Sequence, residues 1–125
     1  MTVALVTHST KPRGGLVHTM GLAEELHREG HPVHLIALGD PAVGLFRPTA
    51  VPHTVLPAPA KTGSLEERVF ASIDVLTDGL TRLVDERRMD GSTVRADILH
   101  AQDCIAARAA ARVCDSGAPV SVVRT

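Results

Sequence analysis

The chain contains no tyrosine and no tryptophan, and phenylalanine occurs twice. Side chains on which nucleobases stack are therefore nearly missing. Charge of one sign is missing too: 13 Lys and Arg stand against 14 Asp and Glu, for a formal net charge of -1. A nucleic-acid partner calls for a basic patch or stripe, so none is expected. Cysteine occurs twice, as Cys104 and Cys114, with no C-x-x-C and no zinc-ligand spacing. Two free thiols in a reducing compartment follow, and no metal site is expected. No apolar run approaches the roughly 18 residues of a membrane span. The opening Met1-Thr-Val-Ala-Leu-Val is apolar but has no basic stretch before it, so it is not a signal peptide. The cytoplasm is the expected location, and nothing in the segment indicates peripheral membrane association. Three motifs are also absent: G-x-G-x-x-G, the Gly-Lys-Ser/Thr of a P-loop, and G-x-S-x-G. These absences argue against a dinucleotide cofactor site and a serine-hydrolase elbow.

What is present is ordinary soluble composition over 125 residues, 44% apolar and 22% charged. That suffices for one domain with a core. Val3 to Thr7 is a short apolar run and reads as a buried strand. His8 to Gly15 is a loop holding Pro12, Lys11, Arg13, Gly14 and Gly15. Leu16 to Glu29 reads as a helix, because Leu16, Met20, Ala23 and Leu26 form one stripe; Gly30 ends it. Val33 to Leu38 is the next strand, closed by Gly39-Asp40-Pro41. Strand, loop, helix and strand in this order make a βαβ unit.

Residues 41–63 carry five prolines. Pro52 counts against a central strand, so His53 to Leu56 is expected as a short strand at an edge. Ser64-Leu-Glu-Glu67 fits a capping box and opens the longest helix. There Val69, Phe70, Ile73, Leu76, Leu80, Leu83 and Val84 hold the helical period, and the end is expected before Asp90-Gly91. Gly79 weakens that helix by about 1 kcal/mol relative to alanine. Asp97 to His100 and Val120 to Val123 read as core strands, with an alanine-rich helix from Cys104 to Val113 between them. The fold class is α/β, a Rossmann-like parallel sheet with helices on both faces. The chain stops at a strand that lacks its following helix, so it is expected to be part of a larger domain.

Ligands of open α/β sheets bind beyond the carboxyl ends of the strands. Gly14 and Gly15 lie there, at a helix start where free N–H groups and the helix dipole favour an anion. Lys11 and Arg13 can add charge. His8 follows the first strand, and His100, Gln102 and Asp103 cluster at the end of a later one. Asp103 competes between a ligand role and a helix N-cap. His27, His31, His34 and His53 show no ligand spacing, and His34 is expected to point away from the core. No catalytic residue stands out.

These residues carry a resemblance. Gly14-Gly15, Leu22-Ala23-x-x-Leu26 and Gly30-His31-x-Val33-His34 resemble the start of family 4 of the glycosyltransferases, retaining enzymes of the GT-B fold in the glycogen-synthase and sucrose-synthase superfamily. Asp97-Ile-Leu-His100-Ala-Gln-Asp103 is similar to that family's later strand with its histidine-bearing end. The resemblance implies two Rossmann-like domains across a cleft. Residues 1–125 would be part of the amino-terminal, acceptor-side domain, with the carboxy-terminal donor-binding domain outside the chain. It implies a nucleoside-diphosphate sugar as donor substrate, an acceptor hydroxyl, retained configuration and no cofactor. Gly15 would come near the donor phosphates, and His100 would line the acceptor side. Gln102 stands where many relatives have a second histidine. The chain alone would be inactive. The alternative is a non-catalytic Rossmann-like module that binds a small anion or nucleotide.

Overall fold

The apolar runs form strands because they are apolar on both faces, which only a covered parallel sheet accommodates. The structure is a computed structural model and describes residues 2–12, 14–84 and 96–124. Arg13, Asp90 and Gly91 lie outside these residues, and so does the expected end of the longest helix. The elements in chain order are β1 (Val3–Val6), α1 (Gly14–Arg28), β2 (Val33–Gly39), β3 (His53–Pro57), α2 (Leu65–Val84), β4 (Ile98–Ala101), α3 (Cys104–Asp115) and β5 (Ser121–Arg124). The five strands form one parallel sheet in the order β3-β2-β1-β4-β5. The order reverses between β1 and β4, so this Rossmann-like sheet has its topological switch point there.

Each face has its own core. On one, Leu5, Val33 and Leu35 pack against Leu16, Met20 and Ala23 of α1. On the other, Ala4, Val6, Ile36, Leu38, Leu99 and Ala101 pack against α2 and α3. Ile73, Leu76, Leu80 and Val84 supply the α2 side, each burial contributing about 1.5–3 kcal/mol over exposure. Alanines at 106, 109 and 110 bring α3 close to that layer. Helix α1 ends as the glycine requires. Gly30 takes φ of 85°, His31 N–H donates to Leu26 C=O and Gly30 N–H to His27 C=O, the two bonds of a Schellman end. Asp97 closes the opposite rim of the sheet by accepting the Thr2 N–H at 2.8 Å.

The β2–β3 crossing has no helix. Residues 40–52 run over the α1 face and insert Val51 into its core. Glu24 of α1 holds this segment: its carboxylate accepts from Arg47 Nη1 at 2.8 Å and from Thr49 Oγ1 at 3.0 Å. The Arg47 hydrogen bond is the chief cause that lowers the Glu24 carboxyl to about 2, against the opposing effect of burial.

Three expectations change. Val120 to Val123 was expected in the core, but β5 is the edge strand, with Val123 46% exposed and only Val120 and Val122 reaching the α2–α3 core. Phe70 keeps helical spacing with its neighbours yet lies off the buried stripe, 42% exposed. His34 is buried, not turned outward, and its Nε2 is 2.8 Å from Thr54 Oγ1. Edge position for β3 holds: it pairs only with β2, and Pro52 directly precedes it. Gly79 has a packing reason. A Cβ there would overlap Leu56 Cδ1 of β3 and lie 3.0 Å from Cδ2. No helix among the described residues is long and apolar enough to cross a membrane.

Gly79→Ala should therefore lower stability by about 1 kcal/mol through overpacking, although alanine is the better helix former. Combined with Leu56→Ala, the same change should become favourable; urea midpoints of the three chains check this. Glu24 has a folded pKa below its unfolded value, so its contribution is complete above about pH 4.3 and is lost as pH falls toward 2. In Glu24→Gln the urea midpoint should fall less between pH 5 and pH 2 than in the parent chain.

Candidate functional site

Because the sheet is parallel, the ends of β1, β2, β3 and β4 share one rim, and the loops leaving them converge. A cleft of about 920 Å³ opens above β1, β2 and β3. Its walls are the β1–α1 loop (His8 to Lys11), the turn after β2 (Asp40, Pro41, Val43) and the loop after β3 (Ala58 to Lys61). The first turns of α2 add Leu65, Arg68, Val69 and Ser72; Leu38 and Ile105 lie deeper. The β1–α1 loop lies tight on β2, since a Cβ on Gly39 would stand 2.6 Å from Thr10 Cγ2 and 2.9 Å from Thr10 Cβ. Glycine at 39 is what allows the loop to form this wall.

Asp103 fixes the neighbouring switch point. Its Oδ1 accepts the Ala106 N–H at 2.8 Å and caps α3. Its Oδ2 accepts from Thr7 Oγ1 at 3.1 Å and from the His8 N–H at 2.9 Å, with His8 Nδ1 also at 2.9 Å. Burial works against ionisation of this carboxyl. The hydrogen bonds from His8 and Ala106, with the attraction of His8, outweigh it and hold the pKa below the usual aspartate value. One carboxylate thus joins the β1 exit to the start of α3.

The sequence-predicted residues fall into two groups on the same rim. His8 and Lys11 wall the cleft. Gln102 and Asp103 gather at the switch point, where Gln102 N–H donates to Val6 C=O at 2.9 Å and its side chain reaches His100 C=O at 3.4 Å. His100 pairs in register with Leu5 and Val123, so it takes the α1 side of the sheet, while Leu99 and Ala101 enter the other core. It sits within β4 and not beyond its end. Gly14 and Gly15 open α1, which has no acidic residue in its first turn. Gly15 is exposed, and a Cβ added to it meets nothing within 4 Å. Its φ is not positive, so neither turn geometry nor internal packing requires glycine there. The other two helix starts differ: Asp103 occupies that of α3, and α2 carries Glu66 and Glu67 in its first turn. Arg13 lies outside the described residues.

Sequence reasoning missed Lys61 and Arg68. Lys61 stands in a proline-rich stretch without a motif, and Arg68 stands off the apolar positions that mark the longest helix. Their only signal was topological, since the segment after an edge strand must return over the same rim. Asp40, read from the sequence as part of the turn after β2, lines the cleft, and its Oδ1 accepts the Ala42 N–H at 2.9 Å. No group of three His, Cys, Asp or Glu that could hold a metal occurs among the described residues.

A model of glycosyltransferase family 4 matches residues 12–125. The chain belongs to glycosyltransferase family 4. No curated protein matches it. In this family 4 chain the rim offers N–H groups at one uncapped-by-acid helix start, three cationic side chains along a cleft, and a carboxylate committed to holding two segments together. That set can bind and orient an anionic or hydroxylated small molecule.

Asp103→Ala should lower stability by about 1–2 kcal/mol, the usual cost of losing a cap. Asp103→Asn, which keeps the cap, should cost less. Because the folded pKa is depressed, the gap between the parent chain and Asp103→Asn should close as pH falls below about 3.9. Chemical denaturation at pH 7 and pH 3 reads both effects.

Proposed function

We propose that this chain is the acceptor-side, amino-terminal part of a GT-B glycosyltransferase, whose donor-binding domain lies outside residues 1–125. The reaction is transfer of a sugar from a nucleoside-diphosphate sugar to an acceptor hydroxyl with retained configuration. The family match over residues 12–125 carries this reading, and the exposed Gly15 at the start of α1 supports it. As the sugar–phosphate bond breaks, negative charge grows on the departing diphosphate. Preorganised N–H groups and cations compensate such charge most effectively where water is excluded. In this reading the N–H groups at Gly14 and Gly15 do so, with Lys11 and Arg13 beside them. His8, His100, Gln102 and Asp103 border the acceptor, Asp103 by holding His8 in place. Donor and acceptor are the partners, the cytoplasm is the compartment, and no cofactor takes part.

The purified 125-residue chain should show no turnover with UDP-, GDP- or ADP-linked sugars; robust transfer by it alone would overturn the assignment to an acceptor-side half. The nucleoside diphosphates themselves should shift the backbone amide signals of residues 14–16 in an NMR titration. Gly15→Glu separates a ligand role from a structural one. A carboxylate at a helix start stabilises by about 0.3–1 kcal/mol, so the variant should melt slightly higher while the diphosphate-induced shifts vanish. Saturable nucleotide binding that persists in Gly15→Glu, with no transfer by any longer form, would favour the non-catalytic module instead.

A further inference from the structure

We propose that the acceptor taken by the cleft above β1, β2 and β3 carries a phosphate monoester, bound between Lys61 and Arg68. This inference rests on the acceptor-side reading above and names the acceptor's chemical class. Two separate segments each bring one cation to this single cleft: the loop after β3 brings Lys61, and α2 brings Arg68. The walls hold one carboxylate against them, Asp40, and its Oδ1 already accepts the Ala42 N–H. The His8 Nδ1 faces the Asp103 carboxylate. Among the described residues, no ion pair involves Lys61 or Arg68.

The cations and the lack of an aromatic ring among the described walls argue against an uncharged sugar. Lysine and arginine only donate hydrogen bonds, although Asp40 and the hydroxyls of Ser9, Thr10 and Ser72 can accept. A neutral polyol is commonly stacked on an aromatic ring. Here Tyr and Trp are absent from the chain, and neither Phe46 nor Phe70 is among the described walls. A phosphate monoester suits the cations: it brings acceptor oxygens and close to two negative charges. The guanidinium of Arg68 suits a bidentate contact, and the Lys61 ammonium acts as a point charge. Leu38, Val69 and Ile105 lie deeper in the cleft, and the cations stand exposed on its walls, where salt weakens their attraction for an anion. Val43 and Leu65 on the walls are 75% and 74% exposed, so the lip tolerates the polar body of a soluble phosphate or the chain of a lipid phosphate.

The test uses the 125-residue chain with glucose 6-phosphate, glucose and inorganic phosphate, and with phosphatidylcholine vesicles with and without phosphatidic acid. Glucose 6-phosphate should bind at least tenfold more tightly than glucose, be displaced by inorganic phosphate, and weaken steeply with salt. Lys61→Gln combined with Arg68→Gln should lower that affinity at least tenfold. Both side chains are exposed, and an unchanged circular dichroism melt confirms that the fold is kept. Binding to phosphatidic acid vesicles alone, lost in the same double variant, assigns the phosphate to a lipid. Equal binding of glucose and glucose 6-phosphate with no vesicle binding, or indifference of the double variant, overturns the proposal. Binding is read without turnover, so the two readings fail separately. Phosphate binding with no transfer by the enzyme that contains this chain counts against the transferase reading. Transfer to an uncharged acceptor with no phosphate binding counts against this one.

Discussion

One carboxylate organises the functional end of this domain. Asp103 stands where the strand order reverses, between an N–H of its own helix and the hydroxyl and N–H of the chain leaving the central strand. Two βα connections that would otherwise move separately are thereby one object. The geometry of the rim follows from this. The path of His8 to Lys11 is set at its start by Asp103 and in its middle by the contact of Thr10 with Gly39. This half-buried carboxylate stays ionised because the groups bonded to it, from Thr7, His8 and Ala106, all donate hydrogens.

The opposite side of the sheet shows a different solution to chain reversal. Between β2 and β3 the chain crosses without a helix, and the α1 face is closed by Val51 and by the Glu24–Arg47–Thr49 contacts. A proline-rich segment cannot supply a continuous helical stripe. It supplies one buried side chain and an ion pair instead, and β3 enters the sheet as an edge.

Local chemistry made much of the fold legible. Gly30 stops α1 with a left-handed residue, and Ser64 accepts the Glu67 N–H at 3.1 Å. The second half of the capping box takes another form: the Ser64 hydroxyl lies 3.2 Å from Glu67 Oε1, so the glutamate engages the hydroxyl. Failures arose where a neighbour decides. Whether Val123 is covered depends on its position at the sheet edge, which its own apolar run does not encode. Phe70 fits a 3.6-residue period and still misses the stripe, because α2 shares its buried face with both the sheet and α3. His34 needed Thr54, twenty positions away, to be acceptable inside. For the site, the rim was legible because all parallel strands end together, and Gly15 and His8 follow from that. Lys61 and Arg68 were not, because a cation's role depends on what stands across from it.

The notch at Gly79 reaches further than its own contact. β3 is held by a single neighbouring strand, and Leu56 presses into α2 where the helix has no side chain. The loop bearing Lys61 leaves this strand directly, and Arg68 rides on the helix it presses against. The spacing of those two cations on the cleft walls is therefore gauged from underneath, by how deeply one leucine seats in the helix.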